Sequence, residues 1–161
     1  MRIAERAGVA HQLITYHFGG KQGLFDALSE NWITTSANAA AITDSFTEAL
    51  SKLVHQANES PDWGRALIRE GQHDRDHADL AERLAPLLAN ARERQARGEI
   101  HPDLDPGIVT LVLFAANMAP IAIPHFTRAL SRVDPSDPEF VDFYAEQLGR
   151  ILGHLGGPAA P

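Results

Sequence analysis

Six side chains able to hydrogen-bond a base edge or a phosphate fall within residues 11–21: His11, Gln12, Thr15, Tyr16, His17 and Lys21. The amide of Gln12 can pair with an adenine edge. Thr15 offers a hydroxyl to a base or a methyl to thymine. His11 and Tyr16 extend the same polar array. His17 and Lys21 suit phosphate contacts, which position a protein on a duplex without reading its sequence. Such a set reads DNA only when one side of a helix presents it to the major groove. The elements around it therefore decide what it can do.

Residues 3–8 predict a short helix that closes on Gly8 in the left-handed conformation. Residues 10–18 predict a second helix with Ile14 and Phe18 at i and i+4 on its buried side, stopped by Gly19-Gly20. Two short helices joined by a tight glycine turn form a helix-turn-helix, with Val9 to fill the angle between them. A third helix is expected over about 21–42, and its first amides can hold a phosphate. Later segments continue the helical period. They span about 44–58, capped by Asp44 or Ser45, then 61–75 after Ser60-Pro61, and 77–97 with a kink or break at Pro86. Residues 98–106 read as a turn-rich connection. An apolar helix over 106–132 is interrupted at Pro120 and Pro124, a last helix covers about 136–155, and the tail from Gly156 is expected to fray. No strand pattern longer than a few residues is found, so the fold class is all-α.

The string Ile3-Ala4-Glu5-Arg6-Ala7-Gly8-Val9, then Tyr16-His17-Phe18-Gly19-Gly20-Lys21 and Leu24-Phe25, resembles the helix-turn-helix signature of the tetracycline-repressor family. The likeness is specific over about 25 residues, more so than a generic helix-turn-helix match. Ala10 stands where a capping Ser or Thr is common, and Leu13 and Thr15 stand where many members have Thr and Tyr. The resemblance implies a DNA-binding segment over 1–42, a helical regulatory and dimerisation domain over 43–156, and a flexible tail over 157–161. It also implies an arm and a helix ahead of Ile3, where only Met1 and Arg2 stand. Ile3, Ala7, Ile14, Phe18 and Phe25 are therefore expected to lack a packing partner. The middle helices of the family enclose a small-molecule pocket, for which Trp63, Gln72, His73, Asn117 and Met118 are the candidates. Asn117 interrupts an apolar stretch and needs a partner if buried, either a ligand or a carbonyl freed by Pro120 or Pro124.

The last two apolar segments carry more hydrophobic surface than one helix face needs. Phe114, Met118, Phe140, Phe143, Tyr144, Leu148 and Ile151 are the expected dimer contacts, in a four-helix arrangement about a two-fold axis. Charge fits a protein that meets DNA at one end. The net charge of the 161 residues is −7, whereas Arg2, Arg6 and Lys21 against Glu5 leave residues 1–25 at +2. The absence of cysteine excludes disulfides, thiolate metal sites and a cysteine nucleophile. No cofactor or membrane span is expected, and a cytoplasmic location is the simplest. No phosphate loop, nucleophile elbow or His-Glu-x-x-His motif is present. The chain is thus expected to be no enzyme but a DNA-binding regulator, a ligand-responsive repressor that binds an operator and an unknown effector as a homodimer. Two rivals stand beside this: a truncated ligand-sensing and dimerisation module that does not bind DNA, and a small helical metalloenzyme using His73 and His77.

Overall fold

In a computed structural model, residues 2–42, 45–72 and 79–155 are described. They form nine helices: α1 Arg2–Ala7, α2 His11–Phe18, α3 Lys21–Ile42, α4 Phe46–Glu59, α5 Pro61–Gly71, α6 Leu80–Ala96, α7 Pro106–Ala122, α8 Pro124–Ser131 and α9 Pro138–Leu155. No strand occurs among the described residues. The chain divides into two compact units, residues 1–35 and 36–161.

Helix ends in the second unit follow from local chemistry. Ser45 caps α4 by accepting a hydrogen bond from the Glu48 amide at 3.2 Å; Asp44, the other candidate cap, lies outside the described residues. Asp105 caps α7 in the same way through the Ile108 amide at 2.9 Å, with Pro106 at the first helical position. At the end of α6, Gly98 is left-handed (φ 80°). The Glu99 amide donates to the Arg94 carbonyl and the Gly98 amide to that of Gln95, both at 3.0 Å.

The core of this unit is helix on helix. Leu50 and Val54 of α4 bury against Val141, Ala145, Leu148 and Leu152 of α9. The two helices approach closely at Gly149, where an added Cβ would lie 2.5 Å from the Thr47 methyl. His55 ties them again on the surface. Its Nδ1 meets the Ser51 carbonyl at 2.7 Å and its Nε2 the Asp142 carboxylate at 2.8 Å, contacts that raise its pKa above the ordinary 6.5. A second cluster joins Ala57, Met118 and Ile121. A third joins Ala91, Ile100 and Val109.

The prolines depart from expectation. Pro86 sits exposed inside an unbroken α6, where it leaves the carbonyl of Glu82, also an exposed residue, without its helical donor. Pro120 also lies inside an unbroken α7. It deprives the Ala116 carbonyl of its usual amide, and the Tyr144 hydroxyl donates to that carbonyl instead, at 2.6 Å. Burial raises the pKa of Tyr144, keeping the hydroxyl protonated for that role. At Pro124 no such substitution holds the helix straight. Ile123, restricted by the following proline, leaves the helical region (φ −130°, ψ 56°), and α7 and α8 meet at 90°. α8 then ends on Arg132 in the left-handed region, and Arg128 and Ser136 bind Asp134 in the turn beyond.

Arg94 and Gln95 hold the 98–105 connection. Arg94 is 3% exposed, bonds Asn90 through Nε at 3.0 Å and Glu99 through a terminal nitrogen at 2.6 Å, and lies 4.9 Å from the centre of the Phe46 ring. Gln95 donates to the carbonyls of His101 and Leu104 at 3.0 and 2.7 Å. No single helix among the described residues is long and apolar enough to cross a membrane.

Candidate nucleic-acid interface

The turn between α1 and α2 has a defined cause. Gly8 is left-handed (φ 66°). The Val9 amide donates to the Ala4 carbonyl at 3.0 Å and the Gly8 amide to that of Glu5 at 3.3 Å. These two bonds end α1 and reverse the chain. Val9 only half fills the resulting angle, at 42% exposure. Ala10, with no oxygen to offer, starts α2 without a side-chain cap.

Gly19 ends α2 in the left-handed conformation (φ 70°), its amide donating to the Thr15 carbonyl at 2.9 Å. The chain then passes through Gly20 into α3. An added Cβ on Gly23 would lie 1.7 Å from the Phe18 carbonyl oxygen. The first turn of α3 thus runs directly beside the end of α2.

All six polar residues singled out in the sequence lie on the surface of this motif: His11, Gln12, Thr15, Tyr16, His17 and Lys21. Tyr16 is 82% exposed, with its ring edge-to-face against His17 at 5.0 Å. The Thr15 hydroxyl makes only a long contact, 3.4 Å, to the His11 carbonyl, which leaves it able to turn to another acceptor. None of α2 is fully buried. Ile14 is half-buried, while Leu13 and Phe18 are open to solvent along with the polar set. Ala4 is buried and Phe25 half-buried; the side chain of Ile3 is not among those described.

Residues 1–28 match the profile of the family described as "Bacterial regulatory proteins, tetR family". The chain carries the tetR-family DNA-binding segment. Every regular element among its described residues is a helix. No curated protein shows significant similarity to the chain.

Of the expected pocket residues, Trp63, Gln72, Asn117 and Met118 are among the described residues. Asn117 is buried at 4% exposure and donates to the Leu53 carbonyl at 3.4 Å, so its partner is neither carbonyl freed by a proline. Met118 is core, packed with Ala57 and Ile121. Trp63 is half-buried on α5, and His73 lies outside the described residues with His77. Gln72 lines an open cleft of about 380 Å³, together with Arg65, Ile68, Arg69, Ile121, Ala122, Pro124 and His125. Sequence reasoning missed the arginines. Their spacing of four on one helix was the available signal. Among the described residues no group of three or more His, Asp or Glu is placed to hold a metal.

The expected dimer residues also separate. Phe140 and Leu148 are buried within the protomer, as is Met118. Phe114 and Tyr144 are half-buried against that core, and Phe140 stacks on Tyr144 at 5.6 Å. Phe143 and Ile151 stay exposed on α9, and Ile108, Leu111 and Val112 stay exposed on α7.

Proposed function

We propose that the chain is a ligand-responsive repressor that binds its operator as a homodimer. The observation that carries the DNA reading is the exposed polar set on α2 and at the start of α3, with Gln12 and Thr15 toward bases and His17 and Lys21 toward phosphates. The tight passage through Gly23 keeps Lys21 beside the end of the recognition helix. Support for the homodimer comes from α7, which is apolar on both sides. Val109, Met118 and Ile121 face the protomer's own core, while Ile108, Leu111 and Val112 form a second stripe, with Phe143 and Ile151 of α9 adding to the exposed apolar surface. A helix apolar all round calls for cover all round. A second copy about a two-fold axis supplies that cover and sets two motifs at fixed spacing. An effector would then act by population shift, favouring a dimer whose motifs no longer match the two half-sites.

The roles within the motif are separable by experiment. Lys21→Ala is expected to weaken binding to all DNA sequences alike and to lower the salt slope by about one. Gln12→Ala is expected to change sequence preference instead, at a cost of about 1–3 kcal/mol on the preferred site. Fluorescence anisotropy across a salt series on two duplexes measures both. An unchanged salt slope in Lys21→Ala would refute the phosphate contact.

A further inference from the structure

We propose that His55 is a proton-operated latch between α4 and α9. Its imidazolium form bridges the Ser51 carbonyl and the Asp142 carboxylate, and loss of the proton opens the bridge to one of them.

The geometry of the ring carries this. Nδ1 of His55 lies 2.7 Å from the Ser51 carbonyl oxygen, and Nε2 lies 2.8 Å from the Asp142 carboxylate. A carbonyl and a carboxylate only accept hydrogen bonds, so both ring nitrogens must donate. A neutral imidazole has one N–H. With the proton on Nδ1, the Nε2 lone pair faces the carboxylate. With the proton on Nε2, the Nδ1 lone pair faces the carbonyl. Either tautomer sets lone pairs against each other at hydrogen-bond distance, and the imidazolium alone satisfies both contacts. Ser51 stands one turn back on the same helix, so its contact fixes the ring and aims Nε2 across to α9.

The latch sits where the unit is held together. His55 follows buried Val54 and Asp142 follows buried Val141, which puts the bridge at the solvent edge of the α4–α9 core. It joins residues 87 apart in sequence. The surroundings favour the proton. The hydrogen bond to Asp142 acts most strongly, then that to Ser51, and the charges of Asp142 and Glu59 add to both; desolvation opposes them and is outweighed. On α4, Lys52 is exposed one turn before His55. On α9, Glu139 is exposed and Glu146 is paired with Arg150. α7, which also packs on α4, carries no charged residue. On α5, Asp62 is paired with Arg65, and Arg69 and Glu70 follow further along. The folded chain therefore holds this proton more tightly than the unfolded chain, in which histidine titrates near 6.5. The stabilisation is complete below pH 6.5 and is lost as pH rises through the higher folded value. Solvent reaches both partners, so its size is that of an exposed ion pair.

The test is long-range proton–nitrogen correlation NMR of the isotope-labelled full chain, which reads both ring nitrogens of each histidine. His55→Gln identifies the His55 signal among the eight histidines. Both His55 nitrogens are expected to carry protons at about pH 6, with a titration midpoint above 6.5 that falls in Asp142→Asn. Urea unfolding provides a second readout. The ratio of the unfolding constant of His55→Gln to that of the parent is expected to be about two- to fivefold larger at about pH 5.5 than at about pH 9, the other histidines cancelling in the comparison. A midpoint at or below 6.5, a midpoint unmoved by Asp142→Asn, or a ratio that does not change with pH would each overturn the latch.

Discussion

At the scale of single residues, the motif depends on glycines for two different reasons. Gly8 and Gly19 supply left-handed backbone at helix ends. That need is visible in sequence, because each follows a short helical pattern and stops it. Gly23 lies inside a helix, and its need is spatial. A side chain there would occupy the position of the Phe18 carbonyl. Nothing in the local pattern announces it, since the constraint arises only when α3 folds back on α2. Gly23→Ala is expected to force the two helices apart and to cost the motif about 1–3 kcal/mol, the usual penalty of overpacking. The expected readout is lost amide protection over residues 11–25 and weakened DNA binding, with protection of α4 and α9 retained. Unchanged protection in the motif would show that this close approach does not hold in solution.

At the scale of elements, one local rule gave three outcomes. Each of Pro86, Pro120 and Pro124 removes an amide donor. The helix runs on unbroken at exposed Pro86, the Tyr144 hydroxyl reaches the carbonyl left at Ala116, and the chain bends at Ile123. The bend at Pro124 was legible, because the residue before a proline avoids the helical region. The straightness at Pro120 was not, because Tyr144 lies 24 residues further along the chain. The same holds for Arg94, whose helical pattern marks it as an ordinary surface cation. In the fold it is enclosed, with Glu99, Asn90 and the Phe46 ring as partners. Removing one member of a buried pair leaves the other uncompensated. Arg94→Ala is therefore expected to destabilise the protein by about 3 kcal/mol in urea unfolding, with most of the loss recovered in the double variant Arg94→Ala/Glu99→Ala. Additive losses would mean that the two side chains are not coupled.

On the scale of the whole molecule, composition and period were enough for an all-helical chain with an N-terminal helix-turn-helix. They could not divide the apolar residues of the last helices between the protomer's own core and a second copy. Leu148 and Phe143 look equivalent in sequence, yet Leu148 is 7% exposed and Phe143 57%. Leu148→Glu is expected to destabilise the protomer itself, because it places a charge in the α4–α9 core. Phe143→Glu is expected to keep the helical circular dichroism and to yield monomers in sedimentation velocity at micromolar concentration. A Phe143→Glu protein that sediments as the parent does would remove this face from the interface.

The central claim is that two copies of the chain read DNA together through α2. Footprinting of the full chain on the DNA flanking its own coding region tests this most directly. The expected result is a protected site with two symmetric half-sites one helical turn or a small multiple of turns apart, on one face of the duplex. Protection of a single half-site, or uniform binding with no preferred sequence at physiological salt, would contradict it.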